Sequence, residues 1–204
     1  FLILRGELME KKLLTIFGAS GLVGSSILRE ALDKGYHVNG TLRDIEKQDR
    51  ITRLKSLPSG NNAKFFQADM AEISSLDHPL INSDAAIICC LIPTYKGFDG
   101  TPAKELDDER GYNEIIKPTV DGCLNILKSA KINNVKNILI CSSTSSTNPI
   151  PPVLVKNELD HWSDEKEQCN SKKYTSAAKT YMERAAFKFC NENNLRLSVF
   201  LPTG

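Results

Sequence analysis

One short stretch, Gly18-Ala19-Ser20-Gly21-Leu22-Val23-Gly24, constrains the fold of this chain more than any other. The apolar run 13–19, LLTIFGA, leads into it and reads as a buried strand. Residues 25–35, SSILREALDKG, follow it. Their apolar positions Ile27, Leu28, Ala31 and Leu32 have the spacing of a helix that buries one face, and Gly35 stops it. Glycines in a strand-to-helix turn let backbone N–H groups approach a pyrophosphate, and the helix behind them turns its positive end to the same phosphates. Placed between that strand and that helix, the glycines point to a bound dinucleotide. Gly18, Ser20, Gly21, Leu22, Val23 and Gly24 are the expected cradle.

The rest of the chain keeps the same alternation. Strand-like runs fall at 36–43, 64–69, 85–92, 136–143 and 195–202. Helical stretches fall at 45–57, broken by Pro58, at 112–134 and at 172–194, with a short helical piece at EISSLDHPLI. Pro118 either bends the helix 112–134 or marks its true start. Alternating β and α segments predict an α/β fold, a doubly wound parallel sheet with helices on both faces. Such sheets bind ligands at the carboxyl ends of their strands. The longest irregular stretch, 144–171, carries Pro149, Pro151 and Pro152, and loops of that length are often functional.

A chain of 204 residues is enough for one well-buried domain, expected over 12–204, with residues 1–11 as an N-terminal extension. The net charge of +1 argues against a nucleic-acid or membrane surface, and no apolar run is long enough to cross a bilayer. None of the six cysteines forms a CxxC pair, and no histidine stands at zinc-ligand spacing, so no metal is expected. Cys89, Cys90 and Cys141 lie inside apolar runs, where cysteine behaves as a small hydrophobe. The reading is of buried structural thiols in a reducing, cytoplasmic setting.

The end of the second strand discriminates between cofactors. An acidic residue there would hydrogen-bond the ribose 2′-OH of NAD. This chain has Thr41-Leu42-Arg43-Asp44, and the planar guanidinium of Arg43 suits the 2′-phosphate of NADP(H). Asp44, one residue on, is expected to point elsewhere.

Further motifs extend the pattern: QADM at 67–70, IIKPTVDGCLNILKSA at 115–130, ICSSTSS at 140–146, HWSD at 161–164, AAKTYMERAAFKF at 177–189 and FLPTG at 200–204. With GASGLVG and TLRD, they make the chain resemble the extended short-chain dehydrogenase/reductases. Within these it is most similar to the group of dihydroflavonol, cinnamoyl-CoA and anthocyanidin reductases. The resemblance implies a Rossmann-like sheet and an NADPH-dependent oxidoreductase that reduces a ketone or aldehyde, a small-molecule carbonyl substrate. It places Asp69 and Met70 beside the adenine and Leu91 to Pro93 along the ribose and pyrophosphate. Ser143 becomes the catalytic serine, Lys179 the catalytic and ribose-binding lysine, and Pro202 the start of the loop crossing the nicotinamide. Leu91 stands where the family usually has a small residue, so either it crowds the cofactor or the backbone shifts to admit it. The family continues into a smaller region that closes over substrate; that region is expected beyond Gly204 and is missing from this chain.

The catalytic pair departs from the family. In such reductases a tyrosine donates the proton to the oxygen that receives negative charge, and a lysine one helical turn on lowers its pKa. With Lys179 aligned, the tyrosine position holds Thr175, and Tyr174 comes one residue early. Each helical residue turns the side chain by about 100°, so positions four apart lie about 40° apart and positions five apart about 140°. Three readings stand open. A π-bulge near 175–178 restores the Tyr174–Lys179 pair. Alternatively, Tyr174 reaches in from a frayed helix start. In the third, the tyrosine is lost, and the protein is a catalytically silent NADP(H)-binding redox sensor or interaction module.

Overall fold

The computed structural model describes residues 12–46, 48–157 and 160–202. The expected N-terminal extension, along with Thr203 and Gly204, lies outside the described residues. The chain runs β1 (Leu13–Phe17), α1 (Leu22–Asp33), β2 (His37–Leu42), α2 (Gln48–Lys55), β3 (Ala63–Gln67), α3 (Asp77–Leu80) and β4 (Ala85–Ile88). It continues through α4 (Asp108–Gly111), a π-helical turn (Tyr112–Ile116), α5 (Lys117–Ile132), β5 (Asn137–Cys141), α6 (Glu165–Asn170), α7 (Tyr174–Glu192) and β6 (Arg196–Phe200). The six strands form one sheet in the order β3-β2-β1-β4-β5-β6, every neighbouring pair parallel. This is a Rossmann-like doubly wound sheet, and its strand order reverses between β1 and β4. Ligands of such sheets sit at that reversal, beyond the carboxyl ends of the strands.

The period-two alternation of strand side chains divides the core into two layers. Ile16, Val38 and Ile87 face one side and meet Leu28 and Leu32 of α1 and Leu54 of α2. Phe17, Ile88 and Ile140 face the other and meet Ile126 and Leu127 of α5 and Met182 and Ala186 of α7. Each fully buried side chain of this size contributes about 1.5–3 kcal/mol. Among the described residues, no helix is long and apolar enough to cross a membrane.

Several elements differ from the sequence reading. The apolar run 85–92 stays in the sheet only to Ile88; Cys89 to Pro93 leave it and form the wall of a cleft. The loop 144–171 contains a 3-10 turn at Thr144–Thr147 and the helix α6. The start of α6 is fixed by the Asp164 carboxylate, which accepts the N–H groups of Lys166 and Glu167 at 2.8 and 3.0 Å. Pro118 falls in the first turn of α5, in line with the reading that it marks that helix's start. Proline has no N–H to give, and the π-helical turn just before it carries the helix past that gap. Trp162 does pack the long loop against the domain, edge-on to Phe187 at 5.9 Å and under the guanidinium of Arg184.

Candidate functional site

The glycine turn shows why its residue types are needed. Gly18 has φ +81, a left-handed conformation that suits glycine. A Cβ on Gly24 would stand 2.2 Å from the Gly18 carbonyl oxygen, so only glycine lets α1 start this close to the turn. The turn is tied to β2: Thr41 accepts the Gly18 N–H through Oγ1 at 3.2 Å and the Ala19 N–H through its carbonyl at 3.0 Å. The N-terminus of α1 has neither a side-chain cap nor an acidic residue in its first turn. Its first N–H groups and its positive end are left to an anion. A dinucleotide pyrophosphate fits this cradle.

A cavity of about 620 Å³ opens beside it at the β1/β4 reversal. Gly18, Ser20 and Gly21 line one side, Asp69 and Met70 another, and Ile92 and Pro93 a third. Met70 is held in place by Asn125, whose Nδ2 donates to the Met70 carbonyl at 3.0 Å. Arg43 lines the cavity and is exposed, as a 2′-phosphate reader must be. Asp44 lines it too, rather than pointing elsewhere. Sequence reasoning missed Arg50, which α2 brings to the same end of the cavity as a second guanidinium. The available signal was an arginine in the first turn of the helix after β2.

An adjoining cavity of about 400 Å³ brings together Leu22, Val23, Gly24, Ser143, Thr175 and Lys179. Ser143 sits where β5 has ended and caps the 3-10 turn, its Oγ accepting the Ser145 N–H at 3.2 Å. Below it, the buried Glu183 carboxylate accepts the Ser142 hydroxyl. Burial raises the pKa of Glu183, and hydrogen bonds from Ser142 and Ser146 oppose that rise. Lys179 is buried. Its Nζ donates to the Leu91 carbonyl at 2.5 Å and to the Cys141 carbonyl at 3.4 Å. An ammonium has three N–H bonds, so this anchoring leaves one for a ligand in the cavity. Burial pulls the pKa of Lys179 below its ordinary value. Tyr95, an exposed residue that the sequence did not single out, stands on the rim of both cavities.

Two sequence expectations, on Leu91 and Tyr174, are corrected, and a third, on Pro202, is left open. Leu91 neither lines nor crowds the cofactor cleft: its side chain is fully buried in the core, and its carbonyl anchors Lys179. Pro202 is exposed, and the loop expected to follow it lies outside the described residues. Tyr174 is the second correction. The helix α7 is regular from its first residue, and the π-helical turn lies elsewhere, at Tyr112–Ile116. Tyr174 therefore points away from Lys179, as the five-residue spacing dictates. Its ring is buried among Leu106, Ile115 and Ile116, against Gly111, where a Cβ would stand 2.5 Å from ring carbons. Its hydroxyl donates to Asp108 Oδ1 at 2.8 Å and lies 3.4 Å from the Leu106 carbonyl. Burial, then the hydrogen bond to Asp108 and its charge, push the phenol up to about 12, opposite to the shift a proton donor at neutral pH needs. Neither a π-bulge in α7 nor a frayed start brings Tyr174 to Ser143 and Lys179; Thr175 lines the cavity with them instead.

The cysteines also divide. Cys123 and Cys190 are buried in the core, as expected of structural thiols. Cys141 is buried too, but lines a cavity with Cys89, and Cys89 and Cys90 are only partly buried.

The family model described as NAD(P)H-binding matches residues 18–186, from the first glycine of the turn to the middle of α7. The chain belongs to this NAD(P)H-binding family. Similar proteins include an anthocyanidin reductase of Vitis vinifera, 29% identical over 95% of this chain and 56% of its own length. A dihydroflavonol 4-reductase of Gerbera hybrida is 31% identical over 92% of this chain and 50% of its own. Among solved structures, vestitone reductase from alfalfa (Medicago sativa L.) superposes with a TM-score of 0.68 at 22% identity, covering 94% of this chain and 56% of its own. The chain spans about half the length of the curated relatives it matches.

Proposed function

We propose that this chain is the cofactor-binding part of an NADPH-dependent reductase of small ketones or aldehydes in which the phenolic proton donor has been lost. The observation that carries the proposal is the cavity shared by Ser143, Thr175 and Lys179, next to the dinucleotide cradle and without Tyr174. The kinship with flavonoid reductases supports an aromatic carbonyl compound as substrate. Arg43 and Arg50, two guanidinium groups on the adenosine side of the cleft, support NADPH over NADH.

Bound in the cleft, the cofactor supplies a hydride to the carbonyl carbon. The Ser143 hydroxyl donates a hydrogen bond to the carbonyl oxygen, where negative charge develops. Lys179, held by the Leu91 and Cys141 carbonyls, has one N–H left that would hold the cofactor's ribose, and its charge would favour the developing negative oxygen. Thr175 holds a hydroxyl at the acid position, but an aliphatic hydroxyl is a far weaker acid than a phenol and is shorter. Proton delivery is therefore the deficient step. General acid catalysis is worth about 10²–10⁴-fold, so turnover is expected to be lower than in a phenol-bearing relative by about that factor.

The test is NADPH oxidation by the full-length protein over a panel of aliphatic and aromatic ketones and aldehydes. Slow turnover that is lost in Ser143→Ala and in Lys179→Met supports the reading. NADPH binding without turnover on any member of the panel would replace it with that of a silent NADP(H)-binding module.

A further inference from the structure

The parallel pairing of β4 with β5 runs in register to Ile88 and Ile140. The next residue along each chain segment is a cysteine: Cys89, just past the end of β4, and Cys141, the last residue of β5. Side chains at matched positions of neighbouring parallel strands stand side by side on one face of the sheet. Such strands lie about 4.8 Å apart, within the Cα separation of about 4.4–6.8 Å that a disulfide spans. Both residues line the cavity that holds Ser143, Thr175 and Lys179, and Cys89 also lines the dinucleotide cavity. The backbone of Cys89 is fixed by its N–H bond to the Phe17 carbonyl at 2.9 Å, and Cys141 is fixed as the last residue of β5. Two thiols are thus held side by side on rigid elements, facing a cavity open to small molecules.

We propose that Cys89 and Cys141 form an oxidisable dithiol in the floor of the cofactor cleft, which a peroxide converts to a disulfide and which bound NADP(H) shields. The protonation of the pair supports the assignment of roles. The neighbouring Cys89 thiol, aided by the charge of Lys179 and opposed by burial, lowers the pKa of the Cys141 thiol. The neighbouring Cys141 thiol and burial push the Cys89 thiol up. The direction of these shifts favours Cys141 as the sulfur that ionises first, with Cys89 as its partner.

The Cys141 thiolate attacks one oxygen of the peroxide. The O–O bond breaks, Cys141 becomes a sulfenic acid, and the departing hydroxide takes a proton from solvent to become water. The Cys89 sulfur then attacks the Cys141 sulfur. The S–S bond forms, the S–O bond breaks, and the departing hydroxide leaves as a second water with the Cys89 proton. The two sulfurs together lose two electrons, and the peroxide takes them up.

The experiment treats the full-length protein with hydrogen peroxide, blocks the remaining thiols with an alkylating agent and maps the tryptic peptides by mass spectrometry. The expected product is one disulfide joining the Cys89 and Cys141 peptides. It should be absent in Cys89→Ser and in Cys141→Ser but still formed in Cys90→Ser, with Cys123 and Cys190 alkylated only after unfolding. NADP⁺ at about ten times its dissociation constant should slow disulfide formation about tenfold, because only the empty cleft reacts. A disulfide that joins Cys90 instead, or oxidation spread evenly over the six cysteines, would overturn the proposal. So would a rate indifferent to NADP⁺ in a protein shown by calorimetry to bind it. The readout is a mass, so its outcome is independent of whether the protein reduces carbonyl compounds.

Discussion

Replacing Tyr174 with phenylalanine removes one oxygen and keeps the ring that fills the space against Gly111, Ile115 and Ile116. The lost hydrogen bond is the one to Asp108 Oδ1 at 2.8 Å. Asp108 is exposed and regains water, and the Leu106 carbonyl keeps the Lys172 ammonium at 2.9 Å, so no buried polar group is orphaned. The cost is therefore that of an ordinary hydrogen bond, about 1 kcal/mol. For a chain of this size that lowers Tm by about 2–4 °C. The phenol adds a pH signature. In the unfolded chain it titrates near 10, and in the folded chain near 12. A phenol whose pKa is raised by folding stabilises the fold below its unfolded pKa, and that stability is lost as pH rises from about 10 to about 12. Tyr174→Phe should lack this part of the alkaline loss. Thermal unfolding at neutral and alkaline pH, together with carbonyl-dependent NADPH oxidation, checks both effects. A small drop in Tm with turnover unchanged is expected. A fall in turnover of about 10²-fold or more, the cost of a lost general acid, with Tm unchanged, would refute the placement of Tyr174 in the packing against α4.

Two further perturbations address the cofactor. Gly24→Ala places a methyl group against the Gly18 carbonyl, where only 2.2 Å is available, and calorimetry should show NADPH binding abolished in a chain that still folds. Arg43→Ala and Arg50→Ala should each weaken NADPH by about tenfold to hundredfold, the worth of a charge-assisted hydrogen bond, and leave NADH affinity unchanged in parallel titrations.

The fold was legible because each level of the sequence agreed. Apolar runs, helical spacing and glycine stops alternated, and the turn 18–24 named the ligand class before any contact was known. The site was legible where a residue's role follows from its place at a strand end, as for Arg43, Asp69 and Ser143, which all line the cleft. It was not legible where tertiary direction decides. Leu91 and Ile92 are adjacent apolar residues, yet one enters the core and the other borders the cleft, because the chain leaves the sheet just before them. Arg50 belongs to a helix whose exposed face carries several charges, and only packing shows which of them turns toward the cavity. The cysteine pair was hidden because Cys89 and Cys141 are far apart in sequence and meet only through the register of β4 with β5.

The most direct test of the account restores the phenol where the helix geometry wants it. Thr175 and Lys179 lie four residues apart on a regular helix and line one cavity. Thr175→Tyr in the full-length protein, assayed by carbonyl-dependent NADPH oxidation, should raise turnover by about 10²–10⁴-fold with little change in NADPH affinity. Unchanged turnover in a variant that folds and binds NADPH would contradict the claim that a missing phenol at position 175 is what limits this cleft.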